Sequence, residues 1–389
     1  MKIAFDLRRI KNPGIGRYMK CLVEAILTQE PQGEYLLILP PGEEGLVQTG
    51  SSNAKIITPK LKYYSIREQI QLPRILREYK IDLLHAPHFM LPLVRPCASV
   101  VTIHDVIGWI WKEDIESRIG RVYYRGMMSA AVRLADRIIT DSKFSHDDIV
   151  RCLGVEPEKI KVVYPGISPD FEPVSDKAQL ESVRSKYRIE DDFIVYTGIY
   201  KPRKNHGALL RAFREFLLNE SHANLVIVGP LEKGEEELRR LADELGISKK
   251  VIFAGFVNDS ELRALYSAAR VYACPSLYEG FGFTVLESMA CGTPVVCSGE
   301  TSLPEIAGDA ALYADPRKPD EFAQALHKAF ADASLRTSLV EKSRMNLQRF
   351  NWVNTARETF KVYQNAVRIS ARTEHLGLNA TTTSPDESD

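Results

Sequence analysis

Short apolar runs, each closed by Gly, Pro or polar residues, alternate in this chain with longer amphipathic stretches, and no other feature narrows the fold so far. Residues 3–7 read as a buried strand, 17–27 as a helix and 35–39 as the next strand, the order of a βαβ unit. Further strands are expected at 55–58, 82–85, 99–104, 137–140 and 160–164, which together make one parallel sheet. Pro165, Gly166, Pro169 and Pro173 then fall among charged residues and read as a linker, because Pro and Gly interrupt both helix and strand. A second series follows at 193–197, 225–228, 251–254, 271–274, 294–297 and 311–314, with helix-length segments such as 209–218 and 235–245 between them. Trp352, Ala356, Phe360 and Tyr363 recur at helical spacing over 352–367, and the polar residues after them predict a disordered tail over 373–389.

The expected fold class is therefore α/β, with two Rossmann-like domains over 1–170 and 171–351; a length of 389 residues, at about 100–200 per domain, agrees. Lys and Arg number 51, as do Asp and Glu, so no global field attracts nucleic acid. The six cysteines are scattered without a C-x-x-C pair and read as reduced core residues. Lys2, Asp6, Arg8 and Arg9 interrupt any early apolar run, and no stretch reaches the roughly 20 apolar residues that span a bilayer, so a cytoplasmic location is expected.

Ligands of open parallel sheets bind beyond the carboxyl ends of the strands, where helix N-termini turn their N–H groups outward. Three segments of this chain follow strands in that way. Gly14-Ile15-Gly16-Arg17-Tyr18 could bring backbone close to an anion, although a plain tight turn explains its glycines too. Met19 stands where a dinucleotide fingerprint needs Gly or Ala, which disfavours NAD. Lys201-Pro202-Arg203-Lys204-Asn205 follows the strand ending at Gly198 and can hold a diphosphate, Arg as a planar fork and Lys as a point charge; a solvated basic loop is the plainer reading. The most specific segment runs from Pro275 to Glu287. There a glycine-rich loop offers the N–H groups of Gly280, Phe281, Gly282 and Phe283, while Glu279 and Glu287 can accept from sugar hydroxyls. Singly, either glutamate could merely complement a helix dipole.

Glu279 and Glu287, seven residues apart around Gly-Phe-Gly-Phe, resemble the signature of the retaining GT-B glycosyltransferases of family 4. The likeness extends over nearly the whole chain, through the Gly14–Gly16 loop, Ile103-His104-Asp105, Pro202-Arg203-Lys204-Asn205 and Phe350-Asn351-Trp352. It implies two domains facing across a cleft, with a last helix, 352–372, returning to the N-terminal domain. It implies that Lys204 and Arg203 neutralise the donor diphosphate, that Glu287 binds the ribose, and that Glu279 with the 280–283 amides holds the transferred sugar. Gly14, Gly16 and Gly198 would line the donor, and Val257, in Gly255-Phe256-Val257, would meet the base. His104 would contact the sugar, with Asp105 orienting it, and Arg17, Tyr18 and Asp105 would lie on the acceptor side. Several relatives carry Arg after the glycine equivalent to Gly198; Ile199 stands here, leaving the division of work between Arg203 and Lys204 open.

Fixed cations on the leaving diphosphate lower the barrier to sugar transfer. No Asp-x-Asp triplet occurs to hold a cation, so no cofactor and no metal are expected. The forms of the glycine and basic loops look most like bacterial surface-polysaccharide mannosyltransferases. They suggest a retaining transfer of mannose from GDP-mannose to a glycan or lipid-linked glycan. A UDP-sugar glucosyl- or N-acetylglucosaminyltransferase, a nucleotide-sugar 2-epimerase and a non-catalytic binding module are the alternatives. Two basic, aromatic stretches, Lys60, Lys62, Tyr63, Tyr64, Arg67, Arg74, Arg77 and Lys80, then Arg118, Arg121, Tyr123, Tyr124, Arg125, Arg133 and Arg137, suggest peripheral membrane contact; a solvated helix face competes with it.

Overall fold

The computed structural model describes the backbone of residues 1–380 except Pro13, Ser51, Ser52, Lys62, Tyr64, Glu116, Glu232 and Lys233, and side chains through Arg372. Two compact units emerge. The first comprises Met1–Trp109, Ile115–Gly166 and the segment from Trp352 onward; the second comprises Ile110–Asp114 and Ile167–Asn351.

The first unit is built on β1 (Lys2–Asp6), β2 (Glu34–Ile38), β3 (Asn53–Ile57), β4 (Leu83–Ala86), β5 (Ala98–Thr102), β6 (Arg137–Thr140) and β7 (Ile160–Val162). Their order is β3-β2-β1-β4-β5-β6-β7, all pairs parallel, with Phe5 opposite both Leu37 and His85. Residues 3–6 of β1 and all of β4 and β5 are buried, which is why these strands read as unbroken apolar runs rather than alternating ones. The chain winds one way after β1 and the other way after β4, so their carboxyl ends border a topological switch point.

The helix Trp352–Ala380 packs against the helix Ile15–Gln29 and against β5 and β6. Its buried residues include Ala356, Val362, Tyr363 and Ala366. A polar chain ties it to the sheet: Tyr363 Oη lies 2.6 Å from His85 Nδ1, His85 Nε2 lies 2.8 Å from Thr102 Oγ1, and Thr102 Oγ1 lies 3.3 Å from Tyr18 Oη. Burial, with the charge of His104, pushes His85 down to about 3, so the imidazole is a neutral link. At Gly166 a Cβ would meet the Trp352 nitrogen at 2.5 Å. The helix runs on through 373–380, which the sequence placed in a disordered tail; Glu374 and Leu376 in that stretch favour helix. Residues 381–389 lie outside the described residues.

The second unit contains β8 (Asp192–Thr197), β9 (Ala223–Val228), β10 (Val251–Gly255), β11 (Val271–Cys274), β12 (Val295–Ser298) and β13 (Ala311–Ala314). Its order is β10-β9-β8-β11-β12-β13, again wholly parallel, with a switch point between β8 and β11. Helices His206–Phe216 and Pro319–Ala331 cover one face, where Phe213, Phe216, Phe322 and Phe330 fill the core. Cys274, Cys291 and Cys297 are buried as expected, whereas Cys21, Cys97 and Cys152 are only partly so.

Candidate functional site

In the second unit the loops after β8 and β11 meet at the switch point. Pro202–Lys204 form a single tight turn, and Asn205 follows in the left-handed region at φ 59°. Asn205 Nδ2 donates to Pro275 O (3.1 Å) and Pro316 O (2.7 Å), and Leu277 N donates to Arg203 O (2.7 Å), so the basic turn is stitched to the β11 loop. Lys204 Nζ thereby reaches Glu279 Oε1 at 2.5 Å, with Arg203 Nη1 3.9 Å from the other carboxylate oxygen. Ser276 Oγ donates to the same Glu279 Oε1 at 2.7 Å. Burial alone would raise the Glu279 carboxyl, but Lys204 and Arg203 outweigh it and hold it below the ordinary value, so it is ionised at neutral pH. Arg203 also donates from Nε to Asp114 Oδ2 at 2.9 Å, in the short Ile110–Asp114 segment of this unit.

The glycine-rich loop leads into the helix Phe283–Ala290, capped by Gly282 at φ 110°, a conformation that an L side chain rarely adopts. Ser302 Oγ lies 2.9 Å from the carbonyls of both Glu279 and Phe281, and Glu279 N donates to Thr301 Oγ1 at 3.2 Å. Phe281 is buried against Phe283 and Phe350. Glu287 lies in the second turn of the helix, only 2% exposed. Gly198 donates its N–H to Val228 O, and Ile199 beside it is exposed. In the segment after β10, Val257 is buried while Phe256 is 78% exposed.

The remaining candidates lie in the first unit. Gly16 has a steric cause: a Cβ there would sit 1.8 Å from Ile10 O, and its N–H is donated to Asn12 O. Gly14, at φ 74°, supplies the turn into the helix Ile15–Gln29, whose first turn also holds Arg17. Tyr18, expected on the acceptor side, is instead wholly buried, with its ring edge-on to His104 at 4.8 Å. Asp105 is not the hydrogen-bond partner of His104; its Oδ1 accepts from Ile107 N at 2.9 Å. That partner is Asp141, just beyond β6, whose Oδ2 lies 2.6 Å from His104 Nδ1. Burial by itself would lower His104, but Asp141, with a smaller contribution from Asp105, holds it above the ordinary histidine value. Asp141, Ser276, Thr301 and Ser302 were missed, and Asn205 was given no role of its own within the basic loop; a polar residue directly after a strand was the one signal available for Asp141.

Two doubly wound parallel units, one carrying paired cations and a carboxylate at its switch point, define a transferase of the GT-B class. Residues 180–345 match the model for glycosyl transferases group 1, and 32–171 that for glycosyltransferase family 4. The chain is 31% identical over 382 residues to O-antigen chain mannosyltransferase B of Escherichia coli, covering 94% of this chain and 100% of that one. It is also 32% identical over 298 residues to a D-inositol 3-phosphate glycosyltransferase of Streptomyces bingchenggensis, covering 73% of this chain and 64% of that one. Among solved structures, Anabaena HepE in complex with UDP and glucose shares the fold with a TM-score of 0.75 at 19% identity, covering 94% of this chain and 99% of HepE. A glycosyltransferase from Rickettsia africae does so at 0.72 and 15%, covering 94% and 98%. The chain belongs to the group 1 glycosyltransferases.

Proposed function

We propose that the protein transfers mannose from GDP-mannose to a glycan or lipid-linked glycan in surface polysaccharide synthesis, with retained anomeric configuration and without a metal. The observation that carries this is the Lys204–Glu279–Arg203 cluster at the β8/β11 switch point. Mannose is supported by the similarity to O-antigen chain mannosyltransferase B, and a nucleoside diphosphate by the UDP held in HepE.

As the sugar–phosphate C–O bond breaks, the anomeric carbon gains positive charge and the diphosphate negative charge. Lys204 and Arg203 offset the latter. An ammonium has three N–H groups, so Lys204 can keep Glu279 and hold a phosphate oxygen together. Ionised Glu279 accepts from a sugar hydroxyl, and the departing phosphate takes the proton of the acceptor hydroxyl as the new C–O bond forms. His104, whose imidazole Asp141 holds above its ordinary value and whose Nδ1 that carboxylate occupies, serves as a substrate contact rather than a base. Incubation of donor and acceptor in EDTA, with the product's anomeric configuration read by NMR, tests this. The expected result is an α-mannosyl product. A metal requirement or an inverted product contradicts the mechanism, a UDP-sugar requirement contradicts the donor, and release of an epimer without acceptor contradicts the reaction class.

No described helix is long and apolar enough to cross a membrane. Peripheral contact is supported by the helix Arg118–Leu134, which exposes Ile119 (82%) and Val122 (74%) beside Arg118 and Arg125. Ile66 and Ile70 are exposed near Arg67 on the helix Ile66–Glu78. Tyr124 is packed against the core and Arg137 donates to Asn365, so neither belongs to that surface, and Lys62 and Tyr64 lie outside the described residues. Cosedimentation with anionic liposomes at low salt, lost in Ile119→Glu/Val122→Glu, is the expected result; no cosedimentation of the wild type overturns it.

A further inference from the structure

The turn that carries the two cations of the second unit has another side. Lys204 and Arg203 meet Glu279, whereas Lys201, Pro202 and Asn205 line a cavity of about 480 Å³ between the helices His206–Phe216 and Gly234–Glu244. Neither Lys204 nor Arg203 lines it.

The helix from His206 begins uncapped, because the side chain of Asn205, at its N-cap, is engaged by Pro275 O and Pro316 O instead. Its first N–H groups therefore keep the partial positive charge of a helix start. His206 lines the cavity only 2% exposed, with both ring nitrogens buried and unpartnered. Burial, with Lys204 pushing the same way, holds this imidazole down to about 4, so it is neutral and carries one N–H. Tyr196 and Tyr200 pack on the ring at 4.8 and 5.6 Å and fix it in place. Arg211 stands in the second turn of the same helix, and a Cβ at Gly207 would sit 3.2 Å from its Nη1, so the glycine leaves the guanidinium its room. Buried ring nitrogens are rarely left unmatched, and a pair of them beside an uncapped helix start points to a ligand that completes both.

The charges select its class. Three cations, Lys201, Arg211 and Arg240, line the cavity with two carboxylates, Glu237 and Glu244. Glu244 lies 3.8 Å from Arg240, and Glu237 accepts from Tyr200 Oη at 2.7 Å. Among the described residues Lys201 and Arg211 meet carbonyls rather than carboxylates, Lys201 Nζ that of Asp114 at 3.4 Å and Arg211 Nη1 that of Gly207 at 3.2 Å. A helix start, a guanidinium, an ammonium and an imidazole N–H around one cavity suit a tetrahedral phosphate, whose oxygens accept from several directions.

We propose that this cavity is a second anion site, separate from the Lys204–Glu279–Arg203 cluster, that binds a phosphate group through the start of the helix His206–Phe216, His206, Arg211 and Lys201. The site goes beyond the transferase reading and stands without it. The test uses the full chain with its histidine rings labelled with nitrogen-15, the His206 signal being assigned from its loss in His206→Asn. Inorganic phosphate and mannose 6-phosphate are titrated separately into the wild type, Arg211→Gln, Gly207→Ala and Lys204→Ala. The expected result is a saturable shift of the His206 signal, the tighter of the two compounds telling whether free phosphate or a phosphomonoester is preferred. Affinity should fall about tenfold in Arg211→Gln, which loses a charge-assisted contact, fall also in Gly207→Ala, whose methyl crowds the guanidinium, and persist in Lys204→Ala. No shift with either compound, or an affinity that Arg211→Gln leaves unaltered, overturns the inference. Binding kept in Arg211→Gln and lost in Lys204→Ala overturns it as well, since the phosphate then sits in the donor cluster, and leaves the transferase reading intact.

Discussion

His104 shows how one long-range partner changes what a residue can do. Paired with Asp141, it stays protonated to a higher pH than an ordinary histidine, so its pairing stabilises the fold fully below about pH 6.5 and is lost as pH rises through the raised folded value. Asp141→Asn is expected to lower the His104 titration midpoint measured by NMR; an unmoved midpoint would contradict the pairing. Glu279 runs the opposite way. Its carboxyl is held down by Lys204 and Arg203, so that contribution is present above the unfolded value of about 4.3 and disappears as pH falls through the lower folded one. Lys204→Ala should therefore raise the midpoint of acid unfolding, and an unaltered acid transition would count against a structural share for the pair. Glu279 and Lys204 could each be singled out from sequence, because strand–loop–helix context marks them. Their direct contact could not, nor could the Asp141 partner of His104, since residues 75 and 37 positions apart meet only once the strand order is fixed.

At the scale of elements, the strands were legible almost to the residue, since parallel strands buried on both faces leave unbroken apolar runs. Their ends were less so. The strand expected over 99–104 stops at Thr102, which frees His104 into the loop beyond, and the helix expected over 209–218 begins at His206 behind the Asn205 staple. That staple depends on an αL residue whose amide finds carbonyls of two other loops, Pro275 and Pro316, which no local pattern announces. Asn205→Ala loses both conformation and hydrogen bonds and is expected to cost about 1–2 kcal/mol in denaturant unfolding while weakening donor binding. Asn205→Gly keeps the backbone and should recover part of the stability but not the donor affinity. Equal stability losses in the two would show that the left-handed conformation contributes nothing, and unchanged stability in Asn205→Gly would show the same of the bonds to Pro275 and Pro316.

For the whole molecule, two sheets of like winding divide the labour, and the first is completed by chain that follows the second. The helix Trp352–Ala380 buries Tyr363 and its neighbours in the first unit, each large side chain worth roughly 1.5–3 kcal/mol beside a domain stability of about 5–15 kcal/mol. A chain ending at Asn351 should therefore lose cooperative melting of its first unit while the second still melts; two intact transitions would contradict this. With 51 charges of each sign there is no global attraction to draw substrate in, and the proposed donor capture rests on the local cations of the second unit. Calorimetry of GDP-mannose binding in EDTA, for wild type, Lys204→Ala and Arg203→Ala, tests that directly. Metal-free binding by the wild type and at least a tenfold loss in each variant are expected, each substitution removing a charge-assisted contact proposed to the diphosphate. Binding that needs a metal, or that survives both substitutions, would contradict it.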